Sequence, residues 1–177
     1  MNTRDLAAVL PVIFRELVDG SPDPAARTYL LNRGDAGLLA SLDRLSATAA
    51  SAPPPGGGAP IAAHVDHLRY GLALLNRLAA GAPVLAHEVD FTASWSNTAE
   101  TDAEWRSLRE GFRREAAAWA DVLGATREVS ELEARWIAAS VAHVAYHLGA
   151  IRQIDRAARG PTAEDEARAE AALRAQA

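Results

Sequence analysis

Cysteine is absent from this 177-residue chain. That excludes disulfides, thiolate metal sites, iron–sulfur clusters and a cysteine nucleophile together. Lysine is absent as well, and all 18 basic side chains are arginine. With abundant alanine this reads as a GC-rich coding bias and implies no function. Against 23 acidic residues the arginines leave a net charge of −5 and a pI near 5.5. A protein built to lie on nucleic acid or anionic lipid carries a basic footprint, and none is visible, so neither partner is expected. No apolar run approaches the ~18 residues of a membrane span. The N-terminal stretch carries Arg4 and Asp5 and no long apolar run, so no secretory signal is expected and the cytoplasm is the expected location. Gly56-Gly57-Gly58 follows three prolines and has no lysine beside it, so it is not a phosphate cradle. Clean apolar alternation is missing and β-branched residues are sparse, which argues against strands.

What is present suits one helical domain. Apolar residues make up 49% and charged residues 23%, an ordinary globular composition. The length allows a well-buried core without a disulfide or metal. A first helical segment runs over residues 3–18 and stops before Gly20 and Pro22; Pro11 inside it requires a kink or a late start. A short helical piece from Pro24, capped by Asp23, is expected next, before the break at Arg33-Gly34. A helix over 35–49 carries Leu38, Leu42 and Leu45 on one stripe and ends before Pro53-Pro54-Pro55. The helix over 60–80 carries Ile61, Val65, Leu68, Leu72 and Leu75, widened by Leu74 and Leu78. Residues 83–100 form a loop that is long for a bundle connection, and long loops are often functional. Thr101-Asp102-Ala103-Glu104 and Ser130-Glu131-Leu132-Glu133 are capping boxes. They open helices that end at Gly124 and near Arg159. The expectation is an all-α, antiparallel four-helix bundle over residues 35–160, with core helices at 35–49, 60–80, 101–123 and 131–158. Residues 1–34 add an N-terminal helical extension packed on it, and 161–177 a polar tail, helical or mobile.

Only five histidines occur, and four of them form two pairs: His64 with His67, and His143 with His147. Spacings of three and four place each pair on one helix face. His143 shares its stripe with Leu132, Trp136, Ala139, Ala150 and Ile154, so these imidazoles are expected to point into the bundle. Two histidines one turn apart, completed by a third from a facing helix, can hold one divalent ion and leave positions open for water or substrate. The same pairs also fit core histidines satisfied by Tyr70, Tyr146, Asp66 or backbone groups.

Other residues point less clearly to chemistry. Ser94, Ser96 and Ser140 lack the strand–elbow–helix setting of a hydrolase nucleophile. Trp105, Trp119 and Trp136 sit at helical core spacing and read as packing. Trp95 lies in the long loop, where it either anchors the loop or covers a site; anchoring is the preferred reading. His87-Glu88 reads as exposed loop. Arg69, Arg77 and Arg152 read as solvated or ion-paired, with Arg152 also a candidate for a substrate carboxylate.

The string Ala142-His143-Val144-Ala145-Tyr146-His147-Leu148-Gly149-Ala150-Ile151-Arg152-Gln153 resembles the last-helix motif of the DinB/YfiT-like four-helix bundles, the DinB superfamily. The segments Ile61-Ala62-Ala63-His64-Val65-Asp66-His67-Leu68 and Gly37-Leu38-Leu39-Ala40-Ser41-Leu42-Asp43-Arg44-Leu45-Ser46 are similar to its second-helix motif and first bundle helix. The likeness covers residues 35–158. It departs at Gly149-Ala150, where many members have Gly-Gln. The resemblance implies a small, often dimeric, metal-binding bundle, some of whose members are transferases and isomerases using mycothiol, bacillithiol or glutathione. Carried over by position, the ligands are His67, His143 and His147, with His64 as the competing residue on the second helix. Implied with them are a divalent metal (Zn, Ni or Fe), a low-molecular-weight thiol, a small-molecule substrate and a homodimer. Two functions stay open. One is a metal-dependent thiol transferase, isomerase or hydrolase acting on small electrophiles. The other is a non-catalytic metal- or ligand-binding dimeric bundle in a stress response.

Overall fold

The computed structural model describes residues 2–21, 23, 26–96 and 98–175. The helical piece expected from Pro24 lies outside them. Among the described residues the secondary structure is helical, apart from one isolated bridge between Asn2 and Glu128. No helix among them is long and apolar enough to cross a membrane.

Local chemistry sets where each helix begins and stops. The expected first helix divides into α1 (Arg4–Ala7) and α2 (Leu10–Asp19). Pro11 sits in the first turn of α2, where its missing N–H has no bond to make. The stretch 35–49 is likewise two helices, α3 (Gly37–Asp43) and α4 (Ala47–Ser51). Ser46 is extended there, and its hydroxyl accepts the Ala49 N–H at 3.2 Å to cap α4. α5 (Ile61–Ala79) stops at Gly81, whose φ of +75° lets the Gly81 and Ala82 N–H groups return to Leu78 and Arg77 carbonyls. α6 (Phe91–Ser94) is a short helix inside the long loop. α7 (Asp102–Gly124) and α8 (Glu131–Ile154) open on the two capping boxes. α8 ends before residue 159 because the Asp155 carboxylate accepts the Ala157 N–H and starts a tighter turn, Arg156–Ala158. The tail forms α9 (Ala163–Ala175).

α5 lies along α7, its most extensive neighbour. α2 and α5 each pack against both α7 and α8, so α7 and α8 face one another across a diagonal. Side chains bridge that diagonal: Trp119 Nε1–H donates to Ser140 Oγ at 2.8 Å. Phe14, Leu17 and Val18 of α2 are buried, as are Leu38 and Leu42 of α3, Trp105 and Phe112 of α7, and Val144 and Ile151 of α8. Two expectations need correcting. The long helix that joins α5, α7 and α8 is α2, from the segment expected to be an extension, while the stretch 35–49 expected in that place is broken into the short helices α3 and α4. The buried face of α8 is Ile137, Ser140, Val144, His147, Leu148 and Ile151, turned by one residue, about 100°, from the stripe through Leu132, Trp136 and Ala139. The helix is apolar on two faces, and the one with the larger branched chains meets the core.

Two polar contacts tie distant segments together. The buried Glu16 carboxylate accepts the N–H groups of Tyr29, Leu30 and Leu31 at 3.1, 2.7 and 2.7 Å through Oε1, fastening that stretch to α2. Arg152 is no free anchor for a substrate carboxylate. Its guanidinium clasps Asp35 through two bonds of 2.7 Å, with Asp35 only 3% exposed. The turn ahead of that clasp requires glycine: a Cβ on Gly37, at φ +77°, would lie 2.3 Å from the Gly20 nitrogen.

Candidate metal centre

The contact between α5 and α8 brings three histidines to one point. His67 projects from α5, and His143 and His147 project from successive turns of α8. Each offers a ring nitrogen, and the three nitrogens lie within 4.8 Å of one another. His147 is 1% exposed and His67 8%, while His143 is half-buried. The Nε2 atoms of His143 and His147 are 2.8 Å apart. Two neutral imidazoles facing at that distance share one proton between two lone pairs, and a cation can take that proton's place.

Neighbours determine which nitrogen of each ring is bare. The Ser94 hydroxyl donates to the Phe91 carbonyl at 2.7 Å and lies 3.0 Å from His67 Nδ1. Its only proton being committed, it accepts from His67 Nδ1–H, which leaves His67 Nε2 as a lone pair. His64 stands beside the three-histidine group. Its Nδ1 lies 2.8 Å from Nδ1 of His147. A His147 that presents Nε2 as a lone pair carries its proton on Nδ1 and donates it to His64. Both arrangements are the hydrogen bonds that orient metal-binding imidazoles elsewhere.

The electrostatics favour neutral rings. Burial pushes the His147 imidazole down to about 3, helped by charge repulsion from His143, His64 and His67. His67 is lowered by burial first and then by His143 and His64, with Asp66 opposing. Burial alone lowers His64 and His143. Groups held as free bases are competent ligands, because protons do not compete for their lone pairs.

Aromatic rings cover one side. Trp95 stacks on His67 with ring centres 4.3 Å apart, and its ring also meets those of His64 and His147. Phe91 packs beside His67 at 5.7 Å. Trp95 therefore covers the histidines, the reading that ranked second from sequence. The roles of Ser94 and Phe91 have no local signal, since α6 reaches His67 only by folding back on α5. His87 is exposed, in the turn Ala86–Glu88, away from this group. Arg69 pairs with Asp66 and Arg77 with Glu88. Ser140 has its hydroxyl committed to Trp119 and the Ile137 carbonyl, and Ser96 is exposed; among the described residues neither is hydrogen-bonded to a histidine.

The family model of the DinB superfamily covers residues 30–151. No curated protein and no solved structure matches the chain.

Proposed function

The chain belongs to the DinB superfamily, and from that premise we propose that it is a metalloenzyme whose His67, His143 and His147 hold one divalent ion to activate a small thiol or water against a small electrophile. One observation carries the reading. Three mostly buried imidazole nitrogens converge within 4.8 Å, and the proton of His67 is held on its far nitrogen by Ser94. The donor set is all nitrogen and neutral, which suits Zn, Ni or Fe. Once bound, such an ion lowers the pKa of a thiol or water that reaches it.

The chain's own residues supply the setting. His64 accepts the His147 proton and fixes that ring's orientation. Trp95 covers the rings of His67, His64 and His147 on the α6 side. His143 is left half-buried, on the wall of a cleft that a ligand can enter. With no cysteine in the chain, a sulfur nucleophile arrives as a separate low-molecular-weight thiol.

Elemental analysis of purified protein tests the metal, with one divalent ion per chain as the expected result. His143→Ala and His147→Ala are expected to lose it while keeping their helical circular dichroism. Full metal content in both variants would overturn the assignment. A thiol-consumption assay over several thiols and electrophiles tests the reaction. A metal-loaded protein silent across that panel leaves the non-catalytic binding role in its place.

A further inference from the structure

The second apolar face of α8 opens onto a cavity that the metal reading does not use. It has a volume of about 380 Å³ and lies between α5, α8 and the loop leading to α6. Leu75 and Leu78 form its α5 wall, Trp136 and Ala139 its α8 wall, and Val89 its loop side. Its size is that of a small-molecule pocket.

The polar groups on the wall decide what it can hold. Ser140 is one of them, and its hydroxyl cannot donate to a ligand: its one proton goes to the Ile137 carbonyl, and it also accepts from Trp119. Trp136 brings one indole N–H to the α8 wall, and His143, also on that wall, belongs to the three-histidine group. The cavity thus has mostly apolar walls and one imidazole among them. Space exists because small residues stand where the helices would otherwise close: a Cβ built on Gly71 meets nothing within 4 Å. Trp136 and His143 lie two turns apart on α8, about 10 Å.

We infer that this cleft holds the apolar body of the substrate, an alkyl chain or aryl system about 10 Å long, with its reacting end at His143. The inference rests on the proposed metal site for the word substrate; the occupant's chemistry rests on the cleft. A second copy of the chain is the competing occupant, and the continuity of the cleft with the histidine group favours the small molecule.

A neutral fluorescent probe, N-phenylnaphthylamine, displaced by straight-chain alcohols from butanol to decanol, reads the cleft directly. Displacement is expected to strengthen by about fourfold per added methylene until the cleft is full. Gly71→Leu and Ala139→Phe fill the space from opposite walls. Both are expected to weaken probe binding at least tenfold with metal content unchanged. Leucine at a helical glycine also raises helix propensity, so loss of fold does not explain a loss of binding. An alcohol series without length dependence, or variants that bind the probe as the original chain does, would overturn the inference. So would failure of the probe together with a fall from dimer to monomer mass in Gly71→Leu, which assigns the cleft to a second copy. The two readings fail separately. A metal-free protein with a rising alcohol series loses the metal site and keeps the cleft; a metal-bearing protein with a flat series does the reverse.

Discussion

A single hydroxyl determines how His67 presents itself. Ser94→Ala removes the acceptor for His67 Nδ1–H, so the ring is free to exchange tautomer and rotate. Metal affinity is expected to fall about 10–100-fold, read by competition with a chelator, while the helical spectrum is retained; unchanged affinity would show that Ser94 does not orient the ring. Protonation gives a second residue-level test, made on metal-free protein. His147, His67, His64 and His143 all titrate lower in the folded chain than the ordinary value of 6.5. The unfolded chain therefore binds more protons below that value. Stability is complete above about pH 6.5 and is lost as pH falls toward the folded value of His147, about 3. The urea midpoint at pH 5 should lie below that at pH 7.5, and a flat profile would contradict the burial of these rings. The spacing of His143 and His147 made their shared face legible in sequence. The orienting groups were not legible, because Ser94 is 27 residues from His67 and His64 is 83 from His147.

At the level of elements, short-range chemistry was readable and rotation about a helix axis was not. Both capping boxes are intact: Ser130 Oγ accepts the Glu133 N–H at 3.2 Å and Glu133 accepts the Ser130 N–H at 2.8 Å. That exchange spans four residues, so four residues of sequence suffice to see it. Ser130→Ala should cost about 1 kcal/mol, visible as a lower urea midpoint with an unchanged slope; no change would mean that α8 is held by packing alone. The break between α3 and α4 was missed because Leu38, Leu42 and Leu45 keep a helical period across it. Only the Ser46 side chain, turned back on α4, marks the interruption. The face of α8 was misjudged for a related reason. Two apolar stripes one residue apart are equivalent until the neighbours choose between them, and the unchosen stripe walls the cleft.

At the scale of the whole molecule, an all-helical bundle was legible from the helix punctuation, whereas which helices build it and the pairings across the chain were not: α2 stands where residues 35–49 were expected. Asp35 and Arg152 stand 117 residues apart, close to the two ends of the stretch that the family model matches. Their clasp is therefore a fastening between the two ends of that matched stretch, and this has a kinetic meaning. A contact that closes so long a loop is entropically expensive to make early, and it is expected to form after the folding barrier has been crossed. Asp35→Asn leaves a largely buried guanidinium without its counter-charge, a loss of about 3 kcal/mol. In stopped-flow measurements nearly all of that loss should appear as faster unfolding, roughly 100-fold, with the refolding rate almost unmoved. A refolding rate that fell in step with stability would place the clasp in the nucleus instead. In the expected case Arg152 and Asp35 act as a latch on the finished bundle, governing how long each molecule stays folded and leaving unchanged how quickly it gets there.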